Sequence, residues 1–216
     1  MSIKDKINSN YKIILYNNHE TIVNINNHKL RFIKNAHKYF IDSYEVPSVS
    51  SIMKYMLPDI YKDIDSKIIK VASNRGDVMH YEIENFEHNG IKGFTEEFKN
   101  YLSLKEELNI KTVENELFVI YVNGEVPMFA GRLDLVYERD NKLGILDFKR
   151  TRDYHEDRVS MQLNLYRLAF MQSFGLEVSE LACMRLRDFL KDFIEVKIDM
   201  LKTIDAIDNY KMRKVK

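Results

Sequence analysis

The chain has 216 residues, of which 45% are hydrophobic and 31% are charged, a composition typical of an ordinary globular protein. This composition excludes an intrinsically disordered, collagen-like or low-complexity chain. Its 33 basic residues balance 33 acidic residues, so no global positive charge indicates nucleic-acid binding, which would need locally sorted charge.

Cysteine content and hydropathy predict the cellular setting. The single cysteine, Cys183, can form neither an intramolecular disulfide nor a four-cysteine iron-sulfur site. No hydrophobic run is long enough to cross a bilayer, and the first ten residues do not resemble a secretory signal peptide. We therefore predict a cytoplasmic protein with no iron-sulfur cluster and no membrane partner.

The first part of the chain predicts a small sheet followed by three helices. Short β-branched and aromatic runs between residues 12 and 42, separated by Asn-rich turns, indicate an antiparallel N-terminal β extension over about residues 1–46. Ser48 is the expected N-cap of the first helix. Apolar residues at helical spacing predict the second helix over residues 66–88 and the third over residues 95–108.

The second part of the chain predicts a larger sheet. Three strands are expected within residues 112–121, 128–138 and 143–150. A helix follows over residues 158–174, with Gly175 as its natural end, and two more strands lie within residues 180–199. We predict an α/β (α+β) fold, with residues 1–216 as one domain: helices flank a central mixed sheet, the core covers about residues 47–200, and a basic C-terminal tail follows.

The hairpin of residues 128–138 and 143–150 carries the main functional hypothesis. With a four-residue loop between the strands, Asp134 faces Asp147. Like charges opposed on a sheet destabilise it, so a divalent cation held between the two carboxylates is the simplest explanation. Lys149 lies on the same strand face as Asp147, because side chains alternate with a period of two. A slip of one residue would send the two aspartates to opposite faces.

Two carboxylates and a lysine around a metal ion suit phosphodiester hydrolysis. The ion would polarise the phosphate and activate water, while the ammonium would orient that water or stabilise charge developing on the phosphate. Taken alone, the same pattern is also typical of a surface hairpin with scattered charges, which arises often by chance in a chain this highly charged.

Two helices add residues that suit the same chemistry. His80 lies one step off the apolar face of the second helix, and Glu84, one turn later, is placed to orient its imidazole. Gln162 and Tyr166 lie one turn apart on the helix after the hairpin. In isolation, each has an ordinary explanation: a partly buried histidine, a solvated glutamine and a packed tyrosine.

Taken in order, the segments RGDVMHYEIE, GRLD, LDFK and QLNLY resemble the motifs of the PD-(D/E)xK nuclease superfamily. They are most similar to its RecB-like exonuclease branch, which is related to the nuclease domain of bacterial recombination helicase-nucleases. The segment KYFIDSYEVPSVSSIM also looks like the N-terminal stretch of small phage and bacterial nucleases of this kind. The resemblance covers roughly residues 36–170 and implies a restriction-endonuclease-like core.

The resemblance also implies roles for individual residues. The catalytic residues would be Asp134, Asp147, Lys149, Gln162 and Tyr166. The metal ligands would be His80, Asp134 and Asp147, holding one or two Mg²⁺ or Mn²⁺ ions. Glu114 and Glu116 share a strand face by parity and are alternatives for a further ligand.

Arg150 and Arg152 are candidates for contacts to DNA phosphates, which dominate sequence-independent binding, although a charged strand end explains them equally well. The resulting hypothesis is a metal-dependent DNA exonuclease acting in recombination, repair or end processing. Its partners would be DNA ends and recombination or replication proteins. The alternatives are a structure-specific or sequence-specific endonuclease on the same core, and a non-catalytic domain that binds nucleic acid or a partner.

Overall fold

The computed structural model describes residues 2–214, with side chains described through residue 210. Within residues 2–214 the chain forms two five-stranded sheets and six α-helices. None of these helices is long and apolar enough to cross a membrane.

The N-terminal sheet is an antiparallel meander in which each strand pairs with the next. Its strands are β1 (Tyr11–Tyr16), β2 (Glu20–Ile25), β3 (His28–Ile33), β4 (Lys38–Ile41) and β5 (Tyr44–Val46). Alternating buried and exposed residues along β2 and β3 give the sheet one apolar face, which confirms the predicted small sheet. The preceding helix α1 (Ile3–Asn10) was not predicted; it begins with a capping box at Ser2 and buries Ile7.

The second sheet is mixed and has the strand order β10-β9-β8-β7-β6. Its strands are β6 (Lys111–Asn123), β7 (Val126–Arg139), β8 (Lys142–Lys149), β9 (Glu180–Arg187) and β10 (Leu190–Glu195). Only β8 and β9 run parallel, and helix α5 (Glu156–Phe174) provides the crossover that a parallel pair needs. The predicted central mixed sheet flanked by helices is therefore confirmed.

The remaining helices are α2 (Val49–Met56), α3 (Ser66–Asn89), α4 (Glu96–Glu107) and α6 (Met200–Lys214). Ser48 caps α2 as predicted, since its hydroxyl accepts a hydrogen bond from the Ser51 backbone N–H. Gly175 ends α5 with a left-handed backbone, φ 63°, as predicted. Helix α6 was not predicted: Lys211, Arg213 and Lys214 of the predicted basic tail belong to it, and Lys216 lies outside the described residues.

Both faces of the second sheet are buried, so charged residues in its middle strands need a special environment. Val136 and Ile145 belong to the core that includes α5 and the N-terminal sheet, whereas Leu135 and Leu146 belong to the core under α3 and α4. This alternation along β7 and β8 means that residues of the same parity share a face. The face that carries Val136 and Ile145 is also the one that carries the candidate site.

Candidate active site

Strands β7 and β8 meet in a tight hairpin. The predicted four-residue loop is wrong, because its outer two residues pair with each other and only Asp140 and Asn141 form the turn. Both have left-handed backbones, φ 51° and 61°, as a two-residue type I′ turn requires. The shorter loop extends the ladder without shifting it, so Val136 pairs with Ile145 as predicted.

This register brings the two aspartates of the hairpin to one place. One Asp134 oxygen, Oδ2, accepts a hydrogen bond of 2.8 Å from the Phe148 backbone N–H. The Asp147 side chain is 2% exposed, and Lys149 Nζ lies 2.9 Å from its Oδ1 and 2.7 Å from its Oδ2. The carboxylates and the lysine therefore form one group around the buried Asp147, as the register implied.

Helix α3 brings His80 to this group. Its neighbours Met79 and Ile83 are 1% exposed and fix the helix on the sheet. The His80 Nδ1 atom lies 3.8 Å from Asp134 Oδ1 and 3.6 Å from Glu116 Oε1. One ligand atom from each of His80, Glu116 and Asp134 lies within 4.8 Å of the others, a donor set of nitrogen and oxygen that fits a divalent cation.

The structure separates the two glutamates that parity placed together. Glu116 joins the cluster, and its backbone is left-handed, φ 49°, which is unusual for a residue in a strand. Glu114 lies elsewhere, 3.7 Å from His88 Nε2 and 3.9 Å from Lys4 Nζ. The departure of Glu116 from regular strand geometry has no signal in the sequence, so periodicity alone could not choose between them.

The pKa values in the cluster reflect burial and close carboxylates. Burial and the neighbouring Asp134 raise the pKa of Asp147 to about 6, although Lys149 opposes the shift. Burial alone would lower the pKa of His80, but the carboxylates of Asp134 and Glu116 raise it to about 9. These carboxylates favour positive charge beside them, which a bound divalent cation would supply.

The predicted catalytic and metal-binding residues line one cavity of about 560 Å³. They are His80, Asp134, Asp147, Lys149, Gln162 and Tyr166. Gln162 accepts a hydrogen bond of 3.1 Å from Lys149 Nζ. The Lys149 ammonium is therefore held both by Asp147 of its own strand and by Gln162 of helix α5. Tyr166 is 6% exposed and closes the cavity beside Gly131, where an added Cβ would lie 2.6 Å from Tyr166 Cε1.

The two arginines predicted to contact phosphates, Arg150 and Arg152, lie in different environments. The Arg150 side chain is 11% exposed and forms an ion pair with Glu97 of α4, outside the residues that line the cavity. Arg152 is exposed. The arginine that lines the cavity is Arg132, which was not among the predicted site residues; its parity with Asp134 on β7 was the available signal.

Comparison with known proteins tests the resemblance. The family profile described as PD-(D/E)XK nuclease superfamily matches residues 62–212, a range that includes every predicted site residue. The search of curated proteins gave no match. The crystal structure of SSO0001 is similar, with 17% sequence identity, a TM-score of 0.42, and coverage of 68% of this chain and 63% of that chain.

The family match covers more than half of the chain and spans all four motifs that carried the resemblance. Nucleases of this superfamily depend on divalent metal ions, and the histidine and carboxylates of the cavity are a fitting ligand set. The RecB-like branch stays a prediction. The chain belongs to the PD-(D/E)XK nuclease superfamily.

Proposed function

We propose that this protein is a metal-dependent deoxyribonuclease of the RecB-like exonuclease type, hydrolysing phosphodiester bonds at DNA ends with one or two Mg²⁺ or Mn²⁺ ions. The observation that carries the proposal is the shared cavity, in which His80, Asp134 and Asp147 lie beside Lys149. Recombination, repair or end processing in the cytoplasm would be its setting, with recombination or replication proteins as partners.

The residues of the cavity would have two roles, metal binding and stabilisation of charge on the phosphate. A bound divalent ion supplies Lewis-acid stabilisation of the phosphate and makes water a better nucleophile. His80, Asp134 and Asp147 would hold that ion. Lys149 would stabilise the charge that develops on the phosphate oxygens, because Asp147 and Gln162 fix its ammonium beside the ligands.

Substrate phosphates away from the reacting bond would be bound by exposed basic side chains. Arg152 is exposed on the segment between β8 and α5, close in sequence to Lys149. A phosphate contact there would be independent of base sequence and would weaken with salt. Arg150, which is paired with Glu97, would contribute by holding α4 against the end of β8.

End-labelled linear DNA and covalently closed circular DNA test this proposal together, each with and without Mg²⁺. An exonuclease shortens the linear substrate in the presence of the metal and leaves the closed circle intact. Cutting of the closed circle identifies an endonuclease on the same core. Absence of hydrolysis of both substrates, with no binding of Mn²⁺ by calorimetry, identifies a non-catalytic domain.

We expect Gly131→Ala to lower the hydrolysis rate by about tenfold. The added Cβ would lie 2.6 Å from Tyr166 Cε1, so the Tyr166 ring must move. Val49 Cγ2, at 3.2 Å from the same Cβ, leaves little free space, and overpacking of this kind costs about 1–3 kcal/mol. Gly144→Ala is the matched control, because its Cβ would contact the Tyr137 ring instead. Both variants should unfold at lower denaturant concentration. Equal hydrolysis rates per folded molecule in the two variants would show that the position of the Tyr166 ring in the cavity does not matter for hydrolysis.

A further inference from the structure

Glu116 contacts two different groups with its two carboxylate oxygens. Its Oε2 lies 2.8 Å from Arg132 Nε, in an ion pair on neighbouring strands of the sheet. Its Oε1 lies 3.6 Å from His80 Nδ1, inside the candidate metal cluster. Glu116 therefore pairs with the Arg132 guanidinium through one oxygen and faces the candidate metal position with the other.

A divalent ion would compete with Arg132 for Glu116. The Glu116 side chain is 10% exposed, so its charge is poorly solvated and strongly favours a close cation. At equal distance, an ion with two charges attracts the carboxylate about twice as strongly as a guanidinium does. A ligand atom of Glu116 already lies within 4.8 Å of ligand atoms of His80 and Asp134, so Glu116 would need no change of strand position to reach an ion held by those two residues.

Arg132 is placed to bind a phosphate once Glu116 turns to the ion. Its side chain is 40% exposed and lines the same cavity as Asp134, two residues further along β7. Its guanidinium carbon lies 5.9 Å from the centre of the Phe118 ring, which supports the side chain from one side. A guanidinium offers five donors in a plane, a geometry that matches phosphate oxygens.

We propose that Glu116 is a further metal ligand that exchanges Arg132 for the ion, and that the released Arg132 binds a phosphate of the nucleic acid. This inference rests on the proposed function and deepens it. It makes binding of the metal and binding of the nucleic acid mutually favourable through one carboxylate.

Calorimetric titration with Mn²⁺ tests the first half. Glu116→Gln should bind Mn²⁺ about tenfold more weakly than the wild-type protein, because a carboxylate ligand is lost. Glu114→Gln is the matched control on the same strand, since that carboxylate lies near His88 and Lys4 instead. Wild-type affinity in Glu116→Gln would overturn the assignment.

Fluorescence anisotropy of a labelled oligodeoxynucleotide tests the second half, with Lys149→Met present in every protein to slow hydrolysis during the titration. Mn²⁺ should tighten oligonucleotide binding, and Arg132→Gln should remove most of that gain, about tenfold, while Mn²⁺ affinity without oligonucleotide rises, because the guanidinium that competes for Glu116 is gone. Arg31→Gln, which removes an exposed arginine of the N-terminal sheet, should keep the gain. An undiminished gain in Arg132→Gln would overturn the exchange.

The two proposals fail in different ways. A wild-type protein that binds Mn²⁺ and cleaves DNA, with a Glu116→Gln variant that binds Mn²⁺ equally well, overturns only the exchange. A wild-type protein that binds no Mn²⁺ and cleaves no DNA overturns both.

Discussion

Lys149→Met is expected to slow DNA hydrolysis by about 10³-fold while leaving Mn²⁺ binding in place. The magnitude is that of removing one preorganised group that stabilises transition-state charge in a buried site, about 10²–10³-fold. Metal binding should persist because Lys149 contacts Asp147 and Gln162 and supplies no ligand atom itself. Initial rates on end-labelled DNA and calorimetric titration with Mn²⁺ measure the two effects separately.

Lys142→Met is the matched control for this prediction. Lys142 lies at the opposite end of β8, where its side chain is 59% exposed and its Nζ atom is 3.5 Å from Glu180. We expect wild-type hydrolysis from this variant, since exposed ion pairs contribute little to stability, about 0–1 kcal/mol. Hydrolysis by Lys149→Met at the rate of Lys142→Met would show that the Lys149 ammonium has no role in the reaction.

Asp134→Asn is expected to abolish both metal binding and hydrolysis. Asparagine keeps an oxygen that accepts the hydrogen bond from Phe148, so the hairpin should remain folded, but it removes the charge beside His80. For the wild-type protein, Mn²⁺ at about one hundred times its dissociation constant should stabilise the fold by about 2.7 kcal/mol. The variant should show no such increase in melting temperature.

Asp140→Asn is the control for the loss of a carboxylate from the same hairpin. Asp140 lies in the two-residue turn with a left-handed backbone, φ 51°, a conformation that asparagine also adopts readily. This variant should keep the full stabilisation by Mn²⁺. If Asp134→Asn is also stabilised to the wild-type extent, Asp134 is not a ligand.

The parts of the fold that sequence predicted are those with local signals. Helices α2 to α5 have periodic apolar residues, and Ser48 and Gly175 mark ends that local hydrogen bonds determine. The register assumed for the β7–β8 hairpin is the observed one, even though the expected loop was two residues too long. Such features depend on neighbours in the chain and need no knowledge of distant contacts.

The features that sequence did not reveal depend on distant partners or on backbone detail. No residue near Arg150 in the sequence indicates that its guanidinium forms an ion pair with Glu97 of α4. The left-handed backbone of Glu116 is equally invisible, yet it separates this carboxylate from Glu114. Helix α6 was missed because it comes directly after a predicted strand and ends in basic residues, a pattern that is also typical of a chain terminus. Its packing partners, helices α2 and α5, lie far away in the sequence, so no local pattern indicates them.

Anomalous diffraction from crystals of the wild-type protein soaked in Mn²⁺ is the most direct test of the metal site. The account predicts a manganese peak within ligand distance of His80, Asp134 and Asp147, with Lys149 beside it. A peak bound by other side chains, or none in this cavity at a Mn²⁺ concentration that supports hydrolysis, would contradict it.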